Sequence, residues 1–142
     1  MNSILLIDDD ADEASLFGEA LKRVAPSVSF RYINEGDAAL KELLNDTDPL
    51  PDIIFLDINM PKINGWNCLS RFREAEHLKP VPVVMYSTST QPREIKKAKD
   101  LGATGFITKP DDFSRLKEIL SLVLNAEAGQ LAGMLEDIRE GT

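Results

Sequence analysis

The chain has 142 residues, 43% of them hydrophobic and 28% charged, which suits one globular domain long enough to bury a core. Its 24 acidic residues outnumber 16 basic ones for a formal net charge of −8, which argues against nucleic acid as a partner, because that binding depends on Lys and Arg neutralising phosphates. One cysteine, Cys68, excludes an intrachain disulfide, and no stretch approaches the ~20 apolar residues of a membrane span or forms a basic leader; the expectation is a cytoplasmic protein with no membrane partner.

Ser3-Ile4-Leu5-Leu6-Ile7 reads as a buried strand, stopped by Asp8-Asp9-Asp10. Leu16, Phe17, Ala20, Leu21 and Val24 then recur at helical spacing, and Pro26 ends that helix. Val28 to Ile33 alternates, as a strand nearer the sheet edge should. A short helix from about Asp37 carries Ala38, Leu40, Leu43 and Leu44 into the turn-rich Asn45-Asp46-Thr47-Asp48-Pro49.

Ile53-Ile54-Phe55-Leu56 is an unbroken apolar run, the pattern of a strand buried on both faces of a parallel sheet. Asp57 closes it, and Met60-Pro61 disfavours helix at Met60, so a loop begins there. Gly65 precedes a third helix with Cys68, Leu69 and Phe72. Pro82-Val83-Val84-Met85-Tyr86 is a fourth strand reaching Ser87, and Pro92 opens a fourth helix with Ile95, Ala98 and Leu101 that Gly102 closes. Thr104 to Thr108 is a fifth strand meeting Lys109-Pro110. The fifth helix, capped by Asp111, carries Phe113, Leu116, Ile119, Leu120, Val123 and Leu124. Residues 1–125 thus make the domain. Residues 126–142 make an extension, helical in part and with no output domain, in which Leu131, Met134, Leu135 and Ile138 share helical spacing; the simpler expectation is packing on its own domain.

Strand and helix alternate five times, which implies a parallel sheet between helices with right-handed crossovers. Parallel strands bring their carboxyl ends to one edge, where open α/β sheets hold ligands. Asp8, Asp9, Asp57, Ser87 and Lys109 should converge there. Three carboxylates so placed repel and raise one another's pKa unless a cation intervenes. Lys109 is one cation, and a hard divalent ion such as Mg²⁺ is another. A metal and an ammonium around one carboxylate suit phosphoryl transfer, with Asp57 as nucleophile and Ser87 as a hydrogen-bond donor to a phosphate oxygen.

These motifs resemble the receiver domain of two-component response regulators. Ile4-Leu5-Leu6-Ile7-Asp8-Asp9 is similar to the family's first strand and acidic pair, and Phe55-Leu56-Asp57 through Met60-Pro61 and Gly65 to its phosphoacceptor segment. Ser87 matches the family's Ser/Thr position and Phe106-Ile107-Thr108-Lys109-Pro110 its Lys-Pro element, so the likeness runs from about Asn2 to Leu124. It implies a flavodoxin-like, doubly wound five-stranded sheet of order 2-1-3-4-5 with five helices. It also implies that Asp57 accepts a phosphoryl group from a sensor histidine kinase or a phosphotransfer protein. Asp9, Asp57 and the backbone carbonyl of Asn59 would hold Mg²⁺, with Asp8 acting partly through water. Lys109 would contact the phosphate, the bond to Pro110 would be cis, and Ser87 and Phe106 would be the switch pair, the ring turning inward on phosphorylation. The signal would leave by protein contact, to a downstream protein or a second copy of the chain, through a face around Ile95, Lys99 and Phe106.

Two positions depart from the family pattern: Thr88 stands where a small residue is usual, and Asp111 and Asp112 follow Lys-Pro where an apolar residue is common. Two other functions compete. A phosphatase of the haloacid-dehalogenase class shares the aspartyl nucleophile and Mg²⁺, but wants an acid two residues on, where Asn59 stands. A degenerate receiver, acting only as a binding module, would lack a site group, and all are present. His77 is expected in an exposed loop, Trp66 as a partly exposed packing residue, and Ser89 close enough to the site to influence attacking water.

Overall fold

The computed structural model describes residues 1–45, 49–126, 130–133 and 135. In chain order the elements are β1 (Ser3–Ile7), α1 (Ala11–Val24), β2 (Ser29–Ile33), α2 (Gly36–Leu43), β3 (Ile53–Leu56), α3 (Gly65–Glu74), a 3-10 turn at Glu76–Leu78, β4 (Val83–Ser87), α4 (Pro92–Asp100), β5 (Gly105–Thr108) and α5 (Phe113–Leu124). A short helical stretch follows among residues 130–135. The turn expected at Asp46 to Asp48 and the tail positions Met134 and Ile138 lie outside the described residues.

The strands pair in parallel in the order β2-β1-β3-β4-β5, the flavodoxin-like arrangement. Strand side chains alternate between two helical layers. Ile4, Leu6, Ile53, Phe55, Val84, Tyr86 and Ile107 meet α1 and α5 on one face. Leu5, Ile7, Ile54, Leu56, Val83, Met85 and Phe106 meet α2, α3 and α4 on the other. All four residues of β3 are buried, as its unbroken apolar run requires, whereas β2 at the sheet edge is half exposed. Phe17 of α1 packs edge-on against Phe55 and Tyr86, with ring centroids 5.1 and 5.6 Å away, so the face beneath the strand ends is rigid and aromatic.

Several local expectations are corrected. Asp112, not Asp111, caps α5, its carboxylate accepting the Arg115 amide at 2.8 Å. Leu16 is 55% exposed, because the buried stripe of α1 runs through Ala14, Phe17, Ala20 and Leu21. His77 is not a loop side chain in solvent: it lies half-buried in the 3-10 turn and donates from Nε2 to the Leu43 carbonyl at 2.8 Å. The Lys109–Pro110 bond is trans, since no cis peptide occurs among the described residues; the tertiary amide before proline leaves the two isomers within about 1 kcal/mol of each other, so local packing decides.

The β3–α3 connection holds the strand end in place. The Asp57 amide donates to the Ile7 carbonyl, and the Gly65 amide to the Ile58 carbonyl, both at 2.8 Å. Lys62 makes the reversal at φ 65°, in the left-handed region. Helix α3 then starts so close to β3 that a Cβ on Gly65 would lie 2.1 Å from the Asp57 carbonyl oxygen. That oxygen is backbone and cannot swing aside. Gly65→Ala is therefore expected to lower stability by about 2 kcal/mol or more in urea unfolding; a loss below ~0.5 kcal/mol would show that the approach is not tight.

Candidate functional site

Asp8 directly follows β1 and Asp57 directly follows β3, and adjacent parallel strands place both carboxylates on one rim. Asp9 joins them: one oxygen from each of Asp8, Asp9 and Asp57 lies within 4.8 Å of the others. Asp8 is wholly buried and Asp57 is 5% exposed, while Asp9 faces solvent. Lys109 enters from the end of β5, which is tied to β4 by its own amide donating to the Ser87 carbonyl at 2.7 Å. Its ammonium stands 3.0 Å from Asp8 Oδ2 and 3.3 Å from Asp57 Oδ1, and also pairs with Glu13 Oε2. The Tyr86 ring lies 5.5 Å from the same ammonium.

Electrostatics follow from this crowding. Burial, then the charge of Asp8, push Asp57 up to about 6 against the pull of Lys109. Burial also raises Asp8, although the Asp10 amide and Lys109 oppose it. For Lys109 burial disfavours the charge, but its bonds to Glu13 and Asp8 and the field of Asp57 outweigh it and hold the pKa above the usual value. One ammonium thus faces four acids.

That imbalance is what a cation would relieve. Asp8 Oδ2 is buried and meets the Lys109 ammonium at 3.0 Å, a cation it shares with Glu13 and Asp57, so its charge is only partly compensated. Oxygen-only ligands of this kind suit a hard divalent ion. Asp8, Asp9 and Asp57 therefore fit the metal expected of them, and Asn59 lies exposed two residues past Asp57.

Ser87 ends β4 and is 1% exposed. Its hydroxyl oxygen accepts the Ser89 amide at 3.2 Å, while the Thr108 hydroxyl donates to the Ser89 carbonyl at 3.0 Å, so the β4–α4 loop is fastened to β5. Phe106 is buried at 2% exposure and packs in the α2–α4 layer. Thr88 is exposed. Cys68 is buried in α3, where burial pushes its thiol up to about 11, as expected of a packing residue rather than a nucleophile. Trp66 is half-buried beside Lys97, whose ammonium lies 4.8 Å from its ring centroid.

Glu13 is the site residue that sequence reasoning missed. Asp12 and Glu13 look like ordinary first-turn acids complementing the helix dipole. The signal was positional: Asp10 caps α1, accepting the Asp12 and Glu13 amides at 3.0 and 3.1 Å, which starts the helix so that Glu13 reaches Lys109.

Comparison with known proteins gives the family. The family model of the response regulator receiver domain matches residues 4–121. The chain belongs to the response regulator receiver family. As a receiver it is a phosphorylation-dependent switch of two-component signalling, and the phosphatase alternative is not favoured. It is 32% identical over 117 residues to the probable methanogenesis regulatory protein FilR2 of Methanothrix harundinacea, covering 80% of this chain and 76% of that one. It is 28% identical to the response regulator Rcp1 of Synechocystis, over 88% of this chain and 86% of the relative. Among solved structures, the phosphorylated cyanobacterial phytochrome response regulator RcpA superposes with a TM-score of 0.77 at 30% identity, covering 84% of this chain and 89% of that one. The Mn²⁺-bound form of Rcp1 gives a TM-score of 0.75 at 26% identity, over 96% of both chains.

The raised pKa of Asp57 makes a stability prediction. Its folded value of about 6 exceeds the ordinary 3.8, so the stability tied to its proton is complete below about pH 4 and is lost as pH rises through 6. At 1.36 kcal/mol per unit the loss is about 3 kcal/mol at most. In metal-free protein, Asp57→Asn should match the wild type near pH 4 and exceed it by about 2–3 kcal/mol at pH 7. Parallel pH–stability curves for the two proteins would contradict the assignment.

Proposed function

We propose that this receiver takes a phosphoryl group on Asp57 from the phosphohistidine of a sensor kinase or phosphotransfer protein, with Mg²⁺, and signals through protein contact. The observation that supports it is a buried carboxylate with a raised pKa, held between an acidic pair and the Lys109 ammonium. An Asp57 oxygen attacks phosphorus, the P–N bond breaks as the P–O bond forms, and the departing imidazole keeps the electron pair. Lys109 lies 3.3 Å from the attacking carboxylate, close enough to pair with an incoming phosphoryl oxygen. A bound Mg²⁺ would neutralise charge on the transferring group, with Asp8, Asp9, Asp57 and the Asn59 carbonyl as its protein ligands. Ser87 would donate its hydroxyl to a phosphoryl oxygen and draw the Phe106 ring with it, changing the face formed by α4, β5 and α5. The chain acts as an acceptor rather than a turnover enzyme: its one hydrolysis is attack of water on its own adduct, releasing inorganic phosphate. Asn59 in place of an acid leaves that water without a general base.

Incubation with acetyl phosphate and Mg²⁺, followed by intact-mass measurement, tests the acceptor. Wild type should gain one adduct of ~80 Da, roughly the mass of one phosphoryl group. Asp57→Asn should gain none, and an undiminished adduct in that variant would move the acceptor elsewhere. Glu13 tethers the ammonium that the phosphoryl group needs, and its carboxylate is partly exposed, so the effect of removing it is modest. Glu13→Gln should speed adduct formation about two- to fivefold. A slower reaction would mean that Glu13 aims Lys109 instead of restraining it.

A further inference from the structure

The face through which the switch would signal already carries part of this chain. Leu131 and Leu135 are each 1% exposed, four residues apart and therefore on one side of a helix. Both belong to the core cluster built on α1 and α5. Ala132 and Leu135 also line a cavity of about 210 Å³ with Ile95, Ala98 and Lys99 of α4 and with Phe106 of β5. The stretch thus reaches both layers across β5, the last strand of the sheet, whose outer edge has no partner strand among the described residues.

Gly105 makes the seat. A Cβ there would come within 2.5 Å of Leu135 Cδ1 and 2.9 Å of Leu135 Cβ. The second contact is too close to the helix backbone to be relieved by a rotamer change, so the leucine fits only because the strand begins with glycine. Phe106, next along the strand, shares the cavity with Leu135, so the ring that would report phosphorylation is also a wall of the seat.

We propose that the helical stretch carrying Leu131 and Leu135 is a built-in competitor on the β5 edge between α4 and α5, which a protein partner whose own helix presents leucines four residues apart must displace in order to dock. The proposal rests on the signalling function above for its purpose, and on packing alone for its existence. A segment joined to α5 by a few residues competes at high effective concentration, so it weakens any partner that uses the same seat without new contacts being needed.

The experiment uses the full chain without phosphodonor. A fluorescent peptide of residues 126–142 serves as the probe, titrated against wild type and against the double variant Leu131→Ala, Leu135→Ala. The double variant should bind the peptide at least tenfold more tightly, because its own segment no longer holds the seat. Adding Gly105→Val to that variant should abolish binding, with folding checked by Trp66 fluorescence. Hydrogen exchange supplies an independent readout: Gly105→Val in the otherwise wild-type chain should speed exchange at residues 131–135 at least tenfold and leave β3 unchanged. Equal peptide affinity for wild type and double variant, no binding to the double variant, or binding that survives Gly105→Val would each overturn the proposal, as would fast exchange at residues 131–135 in the wild type. None of these arms uses phosphate, so a chain that takes no phosphoryl group on Asp57 would overturn the signalling function and leave the seat standing.

Discussion

Like charges forced together at the carboxyl rim of the sheet govern this molecule. Asp8, Asp9, Asp57 and Glu13 gather around one ammonium, and two of the four acids have almost no contact with water. Such an arrangement is unfavourable in isolation, because burial takes solvent from each carboxylate and leaves Lys109 too few charges to neutralise them all. It persists because the surrounding fold over-determines it. Strands β1 and β3 are fully buried for four consecutive residues each, and their hydrogen-bonded register puts Ile7 opposite Leu56. Asp8 and Asp57 follow directly and cannot separate without breaking the sheet. The unfavourable charge is thereby turned into an appetite for cations and for a group that brings its own.

The remaining parts keep that rim from relaxing. Gly65 lets α3 begin against the Asp57 carbonyl, and Ser87 and Lys109 are joined backbone to backbone across β4 and β5. Tyr86 offers its ring to the ammonium from below, and Phe17 and Phe55 brace that ring in turn. A change in charge at Asp57 therefore meets a stiff core on one side and a more yielding loop on the other. The loop after Ser87 is held by single hydrogen bonds from Ser89, Gln91 and Thr108, which is where movement costs least.

Much of this was legible in the residues, and the reasons differ from element to element. The apolar runs ending in Asp8, Asp57 and Ser87 announced buried parallel strands, and parallel strands have only one way to present their ends. The convergence of Lys109 with the acids followed from topology alone. Fine boundaries were less legible: Asp111 and Asp112 are equally good caps on paper, and only the start of α5 at Phe113 selects the second. Glu13 was hidden because a first-turn acid has a sufficient local explanation, so nothing in the pattern pointed across space to Lys109. The place of His77 is not legible because a polar stretch near proline resembles open loop, and the Leu43 carbonyl that claims it is remote in sequence. The isomer at Lys109–Pro110 is decided by packing that no local pattern records.

Gly105 and Leu135 also bear on where this fold physically stops. The family model ends at residue 121, before α5 itself is complete, yet close-packed side chains continue to Leu135. Trimming the chain to the family boundary would leave Gly105–Thr108 as a bare strand edge beside an emptied apolar cavity, and unpaired edges of that kind template association with other chains. At the opposite edge β2 has polar Ser29 and Arg31 facing outward, with Arg31 paired to Glu42, and has less need of a cover. The cover for this edge thus falls past the end of the family model, although the likeness to Rcp1 runs further, and transplanting this receiver onto another protein calls for a junction beyond residue 135.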